Sequence, residues 1–226
     1  MVFRIKLSIV FFLFSGVLLA QERETDIGSM LSLELGKKLG RKFEVSLTED
    51  IRLLANNNGF DRWASTVGAD YSIISKKLKA GLSYSYLYLS NSDYYYESRH
   101  RYFFSLIYKE SFGKYTVSWR GRVQGTLRDE NTGQYKINPK YIWRNKLEID
   151  YSIPGSPWKP YFFTETSNTL NDPLGNEIYK IRFQGGATWR LDRTTYLEFY
   201  LRWNEYLIMP DPRVVIIGIG YKKSFD

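Results

Sequence analysis

From Tyr179 to Trp203 the chain alternates with period two. Tyr179, Ile181, Phe183, Gly185, Ala187 and Trp189 share one parity, and Lys180, Arg182, Gln184, Gly186, Thr188 and Arg190 share the other. Successive side chains of a strand point to opposite faces, so this stretch has one apolar and one charged face. After the turn signal Asp192-Arg193 the pattern resumes, with Leu197, Phe199, Leu201 and Trp203 against Tyr196, Glu198, Tyr200 and Arg202. The spacing predicts two antiparallel strands joined by a tight turn. Each runs to roughly ten residues or more, longer than the usual soluble strand and long enough to cross a bilayer at a tilt. The apolar face therefore reads as facing lipid, and the charged face as lining a closed barrel.

The rest of the chain repeats this unit. The same alternation is legible in Ser29 to Leu35, Phe43 to Leu53, Trp63 to Tyr71, Leu78 to Tyr88 and Arg99 to Lys109. It continues in Tyr115 to Gln124, Tyr141 to Tyr151, the weaker Tyr161 to Thr166, and Val215 to Tyr221. Phe103 and Ile107 take the inward parity of an otherwise clean strand. Connections alternate short and long, as in outer-membrane barrels with short periplasmic turns and longer outer loops. The expected fold is all-β, an antiparallel up-and-down transmembrane barrel of 10–12 strands. The pattern yields about eleven, at odds with the even numbers of bacterial single-chain barrels. Either the first strand tucks into the barrel as an extra segment, or one strand is missed or split.

Address and composition agree with that architecture. Arg4 and Lys6, the largely apolar run Leu7 to Leu19 and the polar Gln21-Glu22-Arg23-Glu24 read as a secretory signal with cleavage after Ala20. Residues 1–20 are thus expected as signal peptide and 21–226 as a single barrel domain, in the outer membrane of a Gram-negative bacterium. Aromatic residues make up 17% of the chain, enough to supply belts at two membrane interfaces. The absence of cysteine excludes disulfides, thiolate metal sites and cysteine nucleophiles. The net charge of +8, about +6 once Arg4 and Lys6 leave, is spread singly at strand parity and forms no long basic run, which speaks against nucleic acid as a partner. The expected partners are outer-membrane lipid and, during insertion, the barrel-assembly machinery. At the C-terminus Ile217, Ile219, Tyr221, Lys223 and Phe225 share a parity, resembling the terminal strand of outer-membrane barrels, although Lys223 occupies an apolar slot and Asp226 follows the aromatic.

The segment Gly36-Lys37-Lys38-Leu39-Gly40-Arg41-Lys42 between the first two strands, Arg62-Trp63, Lys180 to Arg190, and Gly218-Ile219-Gly220-Tyr221 resemble domain of unknown function 2490, a family of uncharacterised outer-membrane barrels. The resemblance covers nearly the whole mature chain. It implies a barrel and carries no activity or functional residues with it.

Inward parity collects more bases than acids. The candidates for an anion path are Arg99, Arg101, Arg120, Arg122, Arg144, Lys146, Lys180, Arg182 and Arg202, with Arg52, Lys79 and Arg190 on the same parity. Glu34, Glu44, Asp50, Asp70, Glu148, Asp150, Glu165 and Glu198 stand against them. One reading is an interior cross-linked by ion pairs. The other is a narrow pore favouring small anions, with Arg99, Arg101, Arg120 and Arg122 as a ladder on neighbouring strands. A barrel of this size is near the limit at which side chains fill the inside. No catalytic, cofactor or metal residues are expected. Ser98 and the lone histidine, His100, share a parity as a hydrolase pair would, but it is the lipid-facing one. The Tyr94-Tyr95-Tyr96 cluster beside Asp93 reads as interfacial belt before sugar platform. The expectation is a non-catalytic barrel, with an anion-selective channel as the alternative and a lipid-modifying hydrolase behind it.

Overall fold

The computed structural model describes residues 24–54, 59–90, 96–128, 137–208 and 212–225; the expected signal peptide lies outside them. The described residues form eleven strands: β1 (Thr25–Leu39), β2 (Phe43–Leu54), β3 (Gly59–Ile74), β4 (Leu78–Ser90), β5 (Tyr96–Phe112), β6 (Tyr115–Arg128), β7 (Lys140–Tyr151), β8 (Trp158–Thr169), β9 (Ile178–Arg190), β10 (Thr195–Tyr206) and β11 (Arg213–Phe225). Each strand pairs with its neighbours in sequence, and β11 returns to β1, so the sheet closes into a barrel. Closure leaves no unpaired sheet edge.

The strand number is odd, and in a meander that dictates how the barrel closes. Direction reverses at every connection, so the first and eleventh strands run the same way and must close in parallel. Thr25 lies opposite Arg213 and the register runs without a shift to Lys37 opposite Phe225. All other neighbours are antiparallel. The first strand is therefore a full member of the wall and not a tucked segment. Most strands are legible in the sequence at nearly full length. The main extensions are β1, at 15 residues, β3, which reaches from Gly59 to Ile74 instead of Trp63 to Tyr71, and β8, which reaches from Trp158 to Thr169 instead of Tyr161 to Thr166. Pro160 and the run of Thr, Ser and Asn residues dilute the β8 signal, yet its ladder with β9 is continuous from Trp158 to Ser167.

The connections segregate. Residues 40–42, 75–77, 113–114, 152–157 and 191–194 connect strands at one end of the barrel, and the two longest connections, 129–139 and 170–177, belong to the other. The tightest turn is Gly113-Lys114, where Gly113 has a φ of 61°, open to glycine at little steric cost.

Parity separates two environments. The outer face is apolar and exposed: Leu31, Val67, Leu82, Phe104, Leu147, Leu201 and Ile217 all lie there, Leu82 at 64% exposure. Outward aromatics gather toward both rims. Trp63, Tyr86, Tyr141, Trp143 and Trp203 lie toward the loops, and Phe43, Tyr71, Phe112, Tyr115, Trp158 and Trp189 toward the turns. Trp158 and Trp189 stack across β8 and β9 with centroids 5.4 Å apart. Tyr96 stacks on Tyr88 at 4.9 Å on the same outer wall; Tyr94 and Tyr95 lie outside the described residues.

Candidate functional site

The inner face is where charge and chemistry collect, so the candidate site is the barrel interior. It is filled to a large extent. Leu87, Ile216, Glu165, Asn204, Thr169 and Ser167 each expose less than 2% of their surface. Met30, Leu54, Val214 and Ile216 form an apolar cluster inside the β1/β11 seam, with Tyr206 packed against it. Phe103, Ile142 and Phe163 are also buried at inward parity. Phe103 is thus a real interior residue, and the Arg122 guanidinium covers its ring at 4.6 Å.

Glu165 on β8 organises the polar part. Its Oε2 accepts from Arg120 at 2.7 Å, and its Oε1 accepts from Arg144 at 2.5 Å and from Arg182 at 3.3 Å. The register explains the convergence: Arg120, Lys146, Glu165, Arg182 and Asn204 face one another in succession across β6 to β10. Arg182 is steadied from the other side, its Nε donating to Asn204 Oδ1 at 2.9 Å. A carboxylate so deeply buried needs such partners, and three guanidiniums supply them.

Other pairs cross-link the wall toward the turn end. Lys79 meets Glu44 at 2.9 Å, Lys146 meets Glu148 at 2.6 Å, Lys159 meets Asp150 at 3.1 Å, and Lys222 donates to Glu34. The acids Asp50 and Glu198 are held by hydroxyls: Ser32 donates to Asp50 at 2.5 Å and Tyr161 donates to Glu198. Toward the loop end Arg52 takes Asp61 at 2.6 Å and Arg99 takes both oxygens of Glu97 at 2.9 Å.

Several of the sequence-derived candidates have no carboxylate partner among the described residues. Arg101 donates to Thr126 Oγ1 at 3.3 Å, Arg122 to Ser105 Oγ at 2.8 Å, and Arg202 to Gln184 Oε1 at 2.7 Å. Lys180 sits against the rings of Tyr179 and Tyr206, at 5.7 and 5.5 Å. Arg99, Arg101, Arg120 and Arg122 do lie on adjacent strands but at different heights. Arg101 faces Thr126, whereas Arg122 faces Ser105 and Arg120 faces Ile107. The row Phe103 and Gln124 separates the two pairs, so they form no unbroken ladder.

Tyr179 departs from the lipid face that simple parity gives it. The register slips beside it, Ser167 facing Lys180 and Asn168 facing Ile178, which leaves Tyr179 unpaired in a bulge. A bulge re-aims the side chain. The Tyr179 ring lies under Lys140 Nζ at 5.2 Å as well as Lys180, and both lysines share the inner face. Arg62, Asp61 and Ser167 are interior residues that the sequence reading did not select. Arg62 was recoverable by counting back from Thr66 and Ala64, and Ser167 by counting on from Glu165; Asp61 gave no signal in a single sequence.

Ser98 and His100 are on the outer wall and are engaged separately. The Tyr86 hydroxyl pairs with Ser98 Oγ at 2.8 Å, and the Tyr84 hydroxyl with His100 Nδ1 at 2.7 Å. Neither arrangement gives a serine hydroxyl its base.

No curated protein matches the chain. Residues 28–206 match the family described as Protein of unknown function (DUF2490). The match runs from β1 to the end of β10, most of the barrel wall, and the chain belongs to that family.

Proposed function

We propose that the protein is a non-catalytic barrel of a Gram-negative outer membrane with a closed interior. The observation that carries this reading is the outer wall. Exposed Leu, Ile, Val and Phe side chains encircle it between two sets of aromatic residues, while acids and bases face inward. An apolar surface of that extent is costly in water and matches a hydrocarbon layer with interfacial aromatic belts. Only closed barrels and helices satisfy every backbone hydrogen bond in that layer.

The interior supports a closed role over a conducting one. Fully buried Leu87, Ile216 and Glu165, together with the ion pairs, occupy the space that a pore needs. Arg101, Arg122, Lys180 and Arg202, which have no carboxylate partner among the described residues, favour a second reading, a narrow path for small anions.

Folding the chain in detergent tests the first reading. The folded form is expected to migrate faster than the boiled form on a denaturing gel. A detergent-free, soluble monomer overturns it. Planar-bilayer recording separates the two readings: a silent bilayer supports the closed interior, and anion-selective current lost on neutralising Arg120 and Arg122 supports the path.

A further inference from the structure

The barrel interior is electrically divided along its axis. Apart from Asp70, the turn-side acids are matched by lysines or hydroxyls, whereas the loop-side third gathers guanidiniums. Arg62, Arg101, Arg144, Lys180 and Arg182 come from β3, β5, β7 and β9, all within the first six residues of their strands, at the same end of the barrel. By register Arg144 and Lys180 flank Ser167, Arg182 lies two residues beyond Lys180 on β9, and Arg101 stands at the same end of β5. Besides Asp26 at the seam, the inward acids of this level among the described residues are Asp61, Glu97 and Glu165. Arg52 and Arg62 share Asp61 and Arg99 takes Glu97, while Glu165 serves three guanidiniums with two oxygens.

A second observation marks the same place. Arg144, Ser167 and Lys180 face one another across β7, β8 and β9. Ser167 is 1% exposed, between the two cations and beside the Tyr179 hydroxyl, and its Oγ has no well-formed hydrogen bond among the described residues. Arg120 Nε, one row away, is buried and has no acceptor among the described residues. Buried donors without acceptors, among like charges that repel in a medium of low dielectric, are expensive unless an acceptor of opposite charge occupies the space. A tetrahedral oxyanion offers several acceptor oxygens and more than one negative charge, and suits guanidinium forks together with an ammonium and a hydroxyl.

We propose that the loop-side third of the interior binds a phosphate-type oxyanion, held by Arg101, Arg144, Lys180 and Arg182 with Ser167 donating from β8. This inference rests on the barrel reading but not on conduction, since a site that holds its anion need not pass it. The carrier is free phosphate or a soluble phosphate ester, because the residues that hold it are on the inner face and not on the outer wall.

The test uses the full mature chain folded in a phosphate-free detergent, with equilibrium dialysis of radiolabelled inorganic phosphate. The gel shift of the same samples reports the barrel fold independently. Saturable binding is expected, along with a rise in the temperature of unfolding in phosphate over chloride at equal ionic strength. R101Q and K180Q, which remove no ion pair among the described residues, are each expected to weaken binding by about tenfold or more. K79Q on the turn side is expected to leave binding unchanged. No saturable binding to the shifted, folded form overturns the proposal, as does full binding by the R101Q/K180Q double variant. Detergent-solubilised phosphatidic acid forms the second arm. If only the lipid phosphate binds, the site is on the membrane-facing surface and the interior assignment is wrong.

Discussion

Gly218 of β11 lies beneath the ring of Tyr200 of β10. A Cβ added at Gly218 would come 2.0 Å from Tyr200 Cζ, so any side chain there must push the ring away. Tyr200 is itself buried, and its ring receives the Arg202 guanidinium at 4.8 Å. Gly218→Val is therefore expected to destabilise the folded barrel by about 1–3 kcal/mol, the usual cost of overpacking. Urea unfolding in lipid or detergent, followed by tryptophan fluorescence, measures it. Adding Tyr200→Ala is expected to recover part of the loss, because the clash goes with the ring. If Gly218→Val unfolds at the same urea concentration as the parent, the ring does not occupy that place.

Glu165 presents the converse case, a residue whose removal strands others. Glu165→Gln leaves Arg120, Arg144 and Arg182 without their shared carboxylate in a buried setting. Breaking one side of a buried ion pair costs about 3–5 kcal/mol. That loss is expected in the unfolding experiment, and Arg182→Gln added to Glu165→Gln is expected to return a fraction of it by removing one stranded charge. Loss no greater than that of an exposed pair such as Lys77 with Glu110 would show that the guanidiniums are solvated instead.

These two residues also show what a single sequence reveals. The alternation that places Gly218 and Tyr200 on the inner face is a local property, read directly from parity. So were the outward Leu31, Val67 and Leu201 and the inward cations of β9 and β10. What fails locally is anything set by register between strands. Glu165 looked like one carboxylate on a weak strand because its three partners come from β6, β7 and β9. Tyr179 was misplaced because the bulge beside Ser167 inverts the parity count at one position. The interior apolar residues Met30, Leu87 and Ile142 blurred the alternation, since a filled barrel buries apolar side chains on the face that parity marks as polar. The odd strand count was visible, but its consequence, a parallel seam, needed closure.

The seam itself is open to a direct chemical check. Leu33 lies opposite Tyr221 in the parallel pair of β1 and β11, and both point outward. Adjacent strands are about 4.8 Å apart, within the usual Cα separation of a disulfide. The natural chain has no cysteine to compete. Leu33→Cys with Tyr221→Cys is expected to cross-link on mild oxidation of the folded protein, giving a band that reverts with reductant. Leu33→Cys with Val215→Cys, which the register places opposite Ile27, is expected to stay reduced. Cross-linking of the second pair and not the first would place β1 in another register or outside the wall.

The turn between β9 and β10 supplies a prediction with a definite sign in pH. Asp192 Oδ1 accepts from the backbone N–H groups of Thr194 and Thr195 at 2.7 and 2.8 Å, and Oδ2 accepts from Thr195 Oγ1 at 2.8 Å. The Thr194 amide is the largest influence, followed by the Thr195 hydroxyl, and together with Lys223 they hold this carboxyl below its ordinary value of 3.8. A group whose folded-state value is depressed stabilises the fold fully above the ordinary value and loses that contribution as the pH falls through the folded one. Asp192→Ala is therefore expected to unfold more easily than the parent at neutral pH, the gap holding down to about pH 4 and narrowing as the medium becomes more acidic. Asp192 is an exposed turn residue, so the effect is expected to be small and to appear in the pH trend of the difference between the two proteins. A gap that widens on acidification would reverse the sign and remove the Thr194 and Thr195 contacts as its cause.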